Sequence, residues 1–407
     1  MPRCRVCDGA IVAFMSFGRM PIANGFLTAA EVPDEYFFEL SPAVCGHCGV
    51  FQLIEQPPPE RMFHAQYAFF SATSRHMQAH FERFAHSVMA GDLTGRSDPF
   101  VVEIGSNDGS MLRHFKAAGM RHLGVEPSAN VAEAARAAGV ETLNAFFDDA
   151  LAGQVADTHG PADAVLAANA LCHIGDLPGV ARGVARLLKH DGVFIFEDPY
   201  LGAMIEKTAY DQIYDEHVFM FSVMSVRRAF APHGLDLVDV EPQPTHGGSM
   251  RYTLARRGIR EASPRVGEWL AREQAQGLDR AETYDRFRQS CERSRDELMR
   301  LLEDLRAQGR RVVGYGATSK STTVTNYCGI APAHVEFIAD TTPIKQGRLS
   351  PGAHIPVRPY ADFVRDYPDY ALLFAWNHEA EIREKERAFL GRGGRFIRYV
   401  PDVRIVS

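Results

Sequence analysis

Four groups of residues have the types and spacing to do chemistry. Cys4-x-x-Cys7 and Cys45-x-x-Cys48 offer four thiolates in two knuckles, the second followed by Gly49. Two such pairs suit a tetrahedral zinc. With every coordination position taken by protein, the metal is expected to be structural. His47 lies inside a knuckle and reads as a bystander. The second group is Glu103-Ile104-Gly105-Ser106-Asn107-Asp108-Gly109, with Glu126 further on. The third, Tyr210-Asp211-Gln212-Ile213-Tyr214-Asp215-Glu216-His217, is the densest run of titratable side chains in the chain. The fourth is Gly314-Tyr315-Gly316-Ala317-Thr318-Ser319-Lys320.

The second group lies between Phe100-Val101-Val102, which suits a strand buried on both faces, and a helical pattern carrying Met111, Leu112 and Phe115. Another apolar run, His122 to Val125, ends at Glu126. This is the opening of a nucleotide-binding α/β unit. Glycines let backbone approach a ligand, and the acid at the second strand tip can accept both ribose hydroxyls. A pyrophosphate cradle wants G-x-G-x-x-G. Here the turn reads E-x-G-x-x-x-G with Asp108 inside it. Acids there suit a sulfonium and an amino-acid head better than a dianion, so S-adenosylmethionine is the expected cofactor.

The elements that follow should carry further groups to the same crevice, because open α/β sheets bind ligands beyond the carboxyl ends of their strands. A strand over Val140 to Leu143 leads to Asn144-Ala145-Phe146-Phe147, where an adenine would sit. A strand over Ala162 to Ala168 delivers Asn169 and His173, and one over Val193 to Phe196 delivers Glu197 and Tyr200. On a helix Tyr214 and His217 would share a face and Glu216 would not; as a loop the segment aims all three inward. Asp198, Asp211 and Asp215 are expected to be solvated or capping. Leu235 to Val240 and Met250 to Leu254 read as antiparallel strands closing the sheet, joined through His246 and two glycines that let a ligand approach the backbone.

The fourth group precedes a helix, and its glycines with Lys320 make an anion site suited to a diphosphate. Asp340 ends the next strand, Asn377 follows a later one, and Lys345, Gln346, Gly347 and Arg348 could extend the cradle. Nearer the start, the aromatic stretch Gln66 to Ser74 precedes a helix over His76 to Met89; it reads equally as packing or as a lid, with Tyr67 its notable residue. From about Arg260 to Arg310 one long connecting helix is expected, buried along Tyr284, Phe287, Cys291, Leu298, Leu302 and Leu305.

The 407 residues allow two or three domains, and a net charge of −7 gives no basic footprint for nucleic acid. No apolar run approaches the roughly 20 residues of a membrane helix, and Cys4 leaves no room for a signal peptide. A soluble, cytoplasmic, monomeric enzyme is the expectation, without nucleic-acid or membrane partners.

The combination of motifs resembles the nucleotide-sugar C-methyltransferases of deoxysugar biosynthesis. It rests on the two Cys pairs, Glu103 to Gly109, Tyr214-Asp215-Glu216-His217, His246-Gly247-Gly248-Ser249, Gly314-Tyr315-Gly316-Ala317 and Pro351-Gly352-Ala353-His354-Ile355-Pro356. The resemblance implies an α/β chain with a zinc-binding N-terminal domain and lid over 1–75. A Rossmann-like class I methyltransferase domain would span 76–260, a helical connection 261–310, and a Rossmann-like nucleotide-sugar domain 311–407. It implies S-adenosylmethionine held by Glu103, Gly105, Ser106, Asn107, Asp108, Gly109, Glu126 and Asn169, and structural zinc on Cys4, Cys7, Cys45 and Cys48. The substrate would be a nucleotide-diphosphate keto-sugar, dTDP being the expected carrier. Its contacts would be Tyr67, Phe69, Tyr200, His246, Gly314, Tyr315, Gly316, Ala317, Lys320, Asp340 and Asn377. Catalysis would fall to His217 as base, with Glu216 positioning it or raising its basicity, and to Tyr214 or His173 as donor to an enolate oxygen. The family's aromatic lid pair corresponds to Tyr67 and Phe69. Rival readings are O- or N-methylation of another small molecule, a nucleotide-sugar sensor without catalysis, and a nicotinamide enzyme using Gly314 and Gly316.

Overall fold

The computed structural model describes residues 2–63, 67 and 70–406. The N-terminal strands are short: β1 (Arg19–Pro21), β2 (Phe37–Glu39), β3 (Pro42–Val44) and β4 (Phe51–Leu53). β1 pairs with β2 between the two Cys knuckles.

The central sheet is built from β5 (Phe100–Ile104), β6 (Arg121–Val125), β7 (Thr142–Leu143), β8 (Ala162–Ala168) and β9 (Leu188–Pro199). β10 (Phe219–Met220) leaves this region to pair with β4, so the N-terminal sheet β10-β4-β3 contains a strand from beyond residue 200. β11 (Leu235–Gln243) and β12 (Ser249–Arg256) return, giving the order β11-β12-β9-β8-β5-β6-β7 with β12 antiparallel to both neighbours. Every residue of β5 is buried, as a central parallel strand requires. The chain reverses its direction of travel across the sheet between β5 and β8, which opens a crevice at their carboxyl ends.

The connection is not one helix but two, Pro264–Gln276 and Ala281–Ala307, broken at Gly277, whose φ of +71° places it in the left-handed cap conformation. The buried stripe on the second helix is as expected, and Cys291 is buried within it. The last sheet holds β13 (Val312–Tyr315), β14 (Ile338–Asp340), β15 (Val357–Pro359), β16 (Tyr370–Leu373), β17 (Arg395–Arg398) and β18 (Arg404–Val406). Its order, β15-β14-β13-β16-β17-β18, repeats the reversal, with β13 in the place of β5. Among the described residues no helix is long and apolar enough to cross a membrane.

Candidate active site

One cavity of about 1220 Å³ lies between the carboxyl ends of the two α/β sheets, with N-terminal residues closing a third side. On the middle-domain wall Gly105 takes φ +68°, and a Cβ there would stand 2.5 Å from the Ala170 Cβ, so no other residue fits the close approach of the β5 and β8 tips. Glu126 ends β6, accepting the Asn107 N–H at 3.0 Å and the Ser128 N–H at 2.7 Å. Burial raises its pKa, and those two N–H groups oppose the rise. Glu103 is pushed well above the carboxylate range by burial and by the charges of Asp108 and Glu126; its Oε2 is buried and unpaired. Like that oxygen, the Asn169 Oδ1 is buried without a partner among the described residues. These orphaned acceptors, together with the exposed ring of Phe146 at the cavity edge, are what a cationic amino-acid head and an adenosine would satisfy.

The titratable run is a 3₁₀ turn, Tyr210–Gln212, followed by a loop, and the loop aims Tyr214, Glu216 and His217 into the cavity. The His217 Nδ1 lies 2.7 Å from the Gln212 carbonyl oxygen. A carbonyl only accepts, so Nδ1 carries the proton and Nε2 is bare. The Tyr214 hydroxyl donates to that Nε2 at 2.7 Å. Burial holds His217 well below the ordinary imidazole value, with the adjacent His173 and Lys320 acting in the same direction. His173 stacks on His217 at 5.4 Å and is lowered by burial to about 4; its Nε2 is buried and unpaired. Phe63 covers the other face of His173 at 5.7 Å.

Glu216 does not position His217, contrary to expectation; the Gln212 carbonyl does. The Glu216 carboxylate instead accepts from the Asn24 amide at 2.6 Å and the Tyr67 hydroxyl at 3.2 Å. Tyr67 also lines the cavity, and its carbonyl accepts from Asn130. Phe69 lies outside the described residues. Asp198, Asp211 and Asp215 are fully buried rather than solvated. Asp211 accepts from Trp376 Nε1 at 2.6 Å and Tyr399 at 2.7 Å, Asp215 accepts from the Ala23 amide, and burial lifts Asp198 to about 8.

The C-terminal wall supplies Ala317, Lys320, Asp340, Lys345 and Asn377, with His246 beside them. Lys320, at the N-terminal end of the helix Ser319–Cys328, has no hydrogen bond or ion pair among the described residues; burial lowers its pKa and Asp211 opposes the change. The His246 Nε2 is buried and unpaired, and burial lowers that ring to about 3.

Several expected contacts do not face the cavity. Tyr200 turns away, its hydroxyl donating to Glu273 at 3.0 Å. It follows the last residue of β9 and caps the helix Leu201–Glu206, which reverses its direction. Tyr315 donates to Glu386 at 2.7 Å and does not line the cavity. Gly314 is packed under Phe374 and Ile338, and Gly316 shapes the turn while Ala317 meets the cavity. Asp108 accepts from the Ala72 amide and holds down the segment over the cofactor wall, and Gly109 packs against Val140. Glu197 is sealed in a network with His80, Arg251 and Thr245. Gln346 and Arg348 bond the backbone of Asp340 and Phe26 instead of extending an anion cradle. Asn24 and Phe63 were not foreseen, because neither belongs to a motif.

The four cysteines gather as expected, all Sγ atoms within 4.8 Å of one another. The pairs Cys4–Cys48 and Cys7–Cys45 stand 3.5 Å apart, against the roughly 3.8 Å edge of a tetrahedron with 2.3 Å Zn–S bonds. The Gln52 amide donates to the Cys4 Sγ at 3.0 Å, as groups behind a thiolate ligand do. His47 is exposed and outside the set.

Three family models match successive parts of the chain. They are "Putative zinc binding domain" over 4–63, "Methyltransferase domain" over 73–240 and "C-methyltransferase C-terminal domain" over 244–401. C-methyltransferase NovU of Streptomyces niveus is 35% identical over 99% of this chain and 96% of its own length. Among solved structures, magnesium protoporphyrin IX methyltransferase from Synechocystis PCC 6803 with bound SAM gives 14% identity and a TM-score of 0.34. It covers 48% of this chain and 88% of that one. A S-adenosylmethionine-dependent methyltransferase from Clostridium acetobutylicum gives 12% identity and 0.35, covering 46% and 94%. Likeness at those scores decides nothing about this chain. Full-length identity to NovU and the three models in sequence do decide: the chain belongs to the C-methyltransferase family and is an S-adenosylmethionine-dependent C-methyltransferase with an N-terminal zinc-binding domain.

Proposed function

We propose that the enzyme methylates a carbon next to the ketone of a nucleotide-diphosphate keto-deoxysugar, through an enolate. The observation that carries this reading is the Tyr214–His217 pair. A neutral imidazole with a fixed tautomer presents Nε2 to a cavity that also holds Lys320, which has no hydrogen bond or ion pair among the described residues.

Glu103, Gly105, Ser106, Asn107, Glu126 and Asn169 would hold S-adenosylmethionine, which would supply an electrophilic methyl carbon. The chain must provide the nucleophile. His217 Nε2 takes the proton from the carbon beside the ketone, and its Nδ1–H, anchored on the Gln212 carbonyl, stabilises the imidazolium that forms. The Tyr214 hydroxyl, freed from Nε2 as the substrate enters, donates to the ketone oxygen as charge develops there. His173 is the second donor available. Phe63, His173 and Tyr67 screen this corner from water. Lys320 and the amides opening its helix meet the diphosphate, with His246 and Asn377 at the edge. Zinc on Cys4, Cys7, Cys45 and Cys48 holds the knuckles and has no part in the reaction.

The test is a panel of dTDP-, UDP- and GDP-linked keto-sugars incubated with methyl-labelled S-adenosylmethionine and read by mass spectrometry. The reading requires label on carbon for one of them. It also requires exchange of that carbon's hydrogen with deuterated solvent when only S-adenosylhomocysteine is present. Label on oxygen, or none with any sugar nucleotide, would overturn it.

A further inference from the structure

The two α/β domains repeat one arrangement at corresponding strand tips, differing in that the amide bonded to the acid lies two residues past the glycine in the middle domain and one past it in the C-terminal domain. In the middle domain the Gly105 amide donates to the Val125 carbonyl at 2.8 Å. The next residue after that carbonyl, Glu126, takes the Asn107 N–H on Oε2 at 3.0 Å and the Ser128 N–H on Oε1 at 2.7 Å. In the C-terminal domain the Gly316 amide donates to the Ala339 carbonyl at 2.9 Å. The next residue there, Asp340, takes the Ala317 N–H on Oδ2 and the Thr342 N–H on Oδ1, both at 2.7 Å. Both glycines have positive φ, +68° and +88°. Each meets an alanine where its Cβ would be: Ala170 at 2.5 Å and Ala375 at 3.2 Å. Those alanines follow β8 and β16, the strands beside β5 and β13. Glu126 and Asp340 line opposite walls of the same cavity.

A carboxylate has about four lone-pair positions. In each acid the backbone takes one on each oxygen and fixes the plane of the group, which leaves one per oxygen for a ligand. An acid so placed at the tip of the second strand is the one with which α/β nucleotide-binding domains read ribose hydroxyls. Resting on the nucleotide-sugar reading above, we propose that Asp340 is the second such acid. It accepts the hydroxyl of the substrate nucleotide's own pentose: the 3′-hydroxyl of a deoxyribonucleotide, or the 2′,3′-diol of a ribonucleotide. The direction of the substrate follows. Its pentose lies at Asp340, its diphosphate crosses Thr318 to Lys320, and its keto-sugar reaches Tyr214 and His217.

The experiment is calorimetric binding of dTDP and UDP and of their 2′,3′-dideoxy counterparts to the full-length zinc-loaded enzyme. Wild type is compared with Asp340→Ala and Asp340→Asn, with S-adenosylhomocysteine present and its own affinity measured as the control. The dideoxy nucleotide should bind wild type about tenfold or more weakly, the cost of leaving the Asp340 acceptor without the hydroxyl that satisfies it. Asp340→Ala should lose a similar factor for the parent nucleotide and show no further loss for the dideoxy one. Asp340→Asn, which keeps the side-chain volume and one of the two backbone bonds, should behave in the same direction. Equal affinity of wild type for the two nucleotides, an unchanged parent affinity in Asp340→Asn, or losses that simply multiply would overturn the assignment and leave the nucleotide-sugar reading standing. Failure of wild type to bind either diphosphate would overturn both.

Discussion

The Asn24 side-chain amide donates to the Glu216 carboxylate at 2.6 Å and to the Ser319 hydroxyl at 2.8 Å, so one N-terminal residue ties the titratable loop to the helix that opens the C-terminal wall. The neighbouring Ala23 extends the tie, its amide on Asp215 and its carbonyl taking the Thr322 hydroxyl. Losing a hydrogen bond to a charged group costs about 1.5–3 kcal/mol. Asn24→Ala should therefore lower kcat/KM for the sugar by about tenfold or more. The affinity for S-adenosylhomocysteine should stay unchanged. Steady-state kinetics beside calorimetry would check both.

His217→Ala should cost about 10²- to 10⁴-fold in kcat, the worth of a general base, with cofactor binding retained. The pH dependence carries a sign. The base works unprotonated, so activity falls as pH falls. Because burial and its neighbours hold His217 well below the usual 6.5, that fall must come well to the acid side of 6.5. A kcat/KM profile with its acid limb at or above 6.5 would contradict the assignment.

Lys320→Ala should raise KM for the sugar nucleotide by about tenfold or more while moving the cofactor's dissociation constant little, because a cation with no hydrogen bond or ion pair among the described residues is available to phosphate. Product inhibition by the free nucleoside diphosphate would weaken by the same factor. Equal KM in the variant, with a native fold, would remove the diphosphate from this corner.

How much of this could be read in the sequence depends on how local the signal is. Glu103, Gly105 and Glu126 lie within one strand-turn-helix-strand unit, where spacing alone dictates the geometry. Tyr200 and Tyr315 were misplaced because an aromatic at a strand tip can face either way. The turn into Leu201–Glu206 takes one to Glu273, and the other is held on Glu386. The Tyr214–His217 bond was half legible: their spacing of three brings them together, but the Gln212 carbonyl that sets the tautomer depends on a turn no pattern announces. Asn24 carried no signal. It reaches Glu216 across 192 positions of sequence, and only the packed fold relates them.

Tyr200→Phe is the complementary case. Its hydroxyl and the amides of Val223 and Met224 share the Glu273 carboxylate, at 3.0, 2.6 and 2.9 Å, on the side of the sheet away from the cavity. Removing one donor from a buried carboxylate should cost about 1–3 kcal/mol of stability. The effect on kcat and KM at a temperature where the variant is folded should be within about twofold. A lower midpoint in chemical denaturation with unchanged kinetics is the expected pairing. A selective rise in KM would return Tyr200 to the substrate site.

Zinc removal tests how far structural order in the knuckles reaches. The metal-holding segments border β3 and β4, and β4 pairs with β10 directly after His217, with Phe219 opposite Gln52 and Met220 opposite Phe51. Gln52 itself donates to Cys4, so the strand that backs a zinc ligand also holds the exit of the catalytic loop. Folding energy supplied by a structural zinc is lost with the metal. Cys45→Ser, or exhaustive chelation, should therefore free the turn that carries Ala23 and Asn24 and release β10. The consequence is loss of methyl transfer by about 10²-fold or more, the range of a lost catalytic group. The cofactor wall is built from β5, β6 and β8 and touches none of these strands through its backbone pairing, so S-adenosylhomocysteine should still bind. Metal analysis, calorimetry with S-adenosylhomocysteine and a turnover assay on the same sample distinguish this from general unfolding. If full activity survived in metal-free protein, the N-terminal domain would have no hold on the catalytic loop.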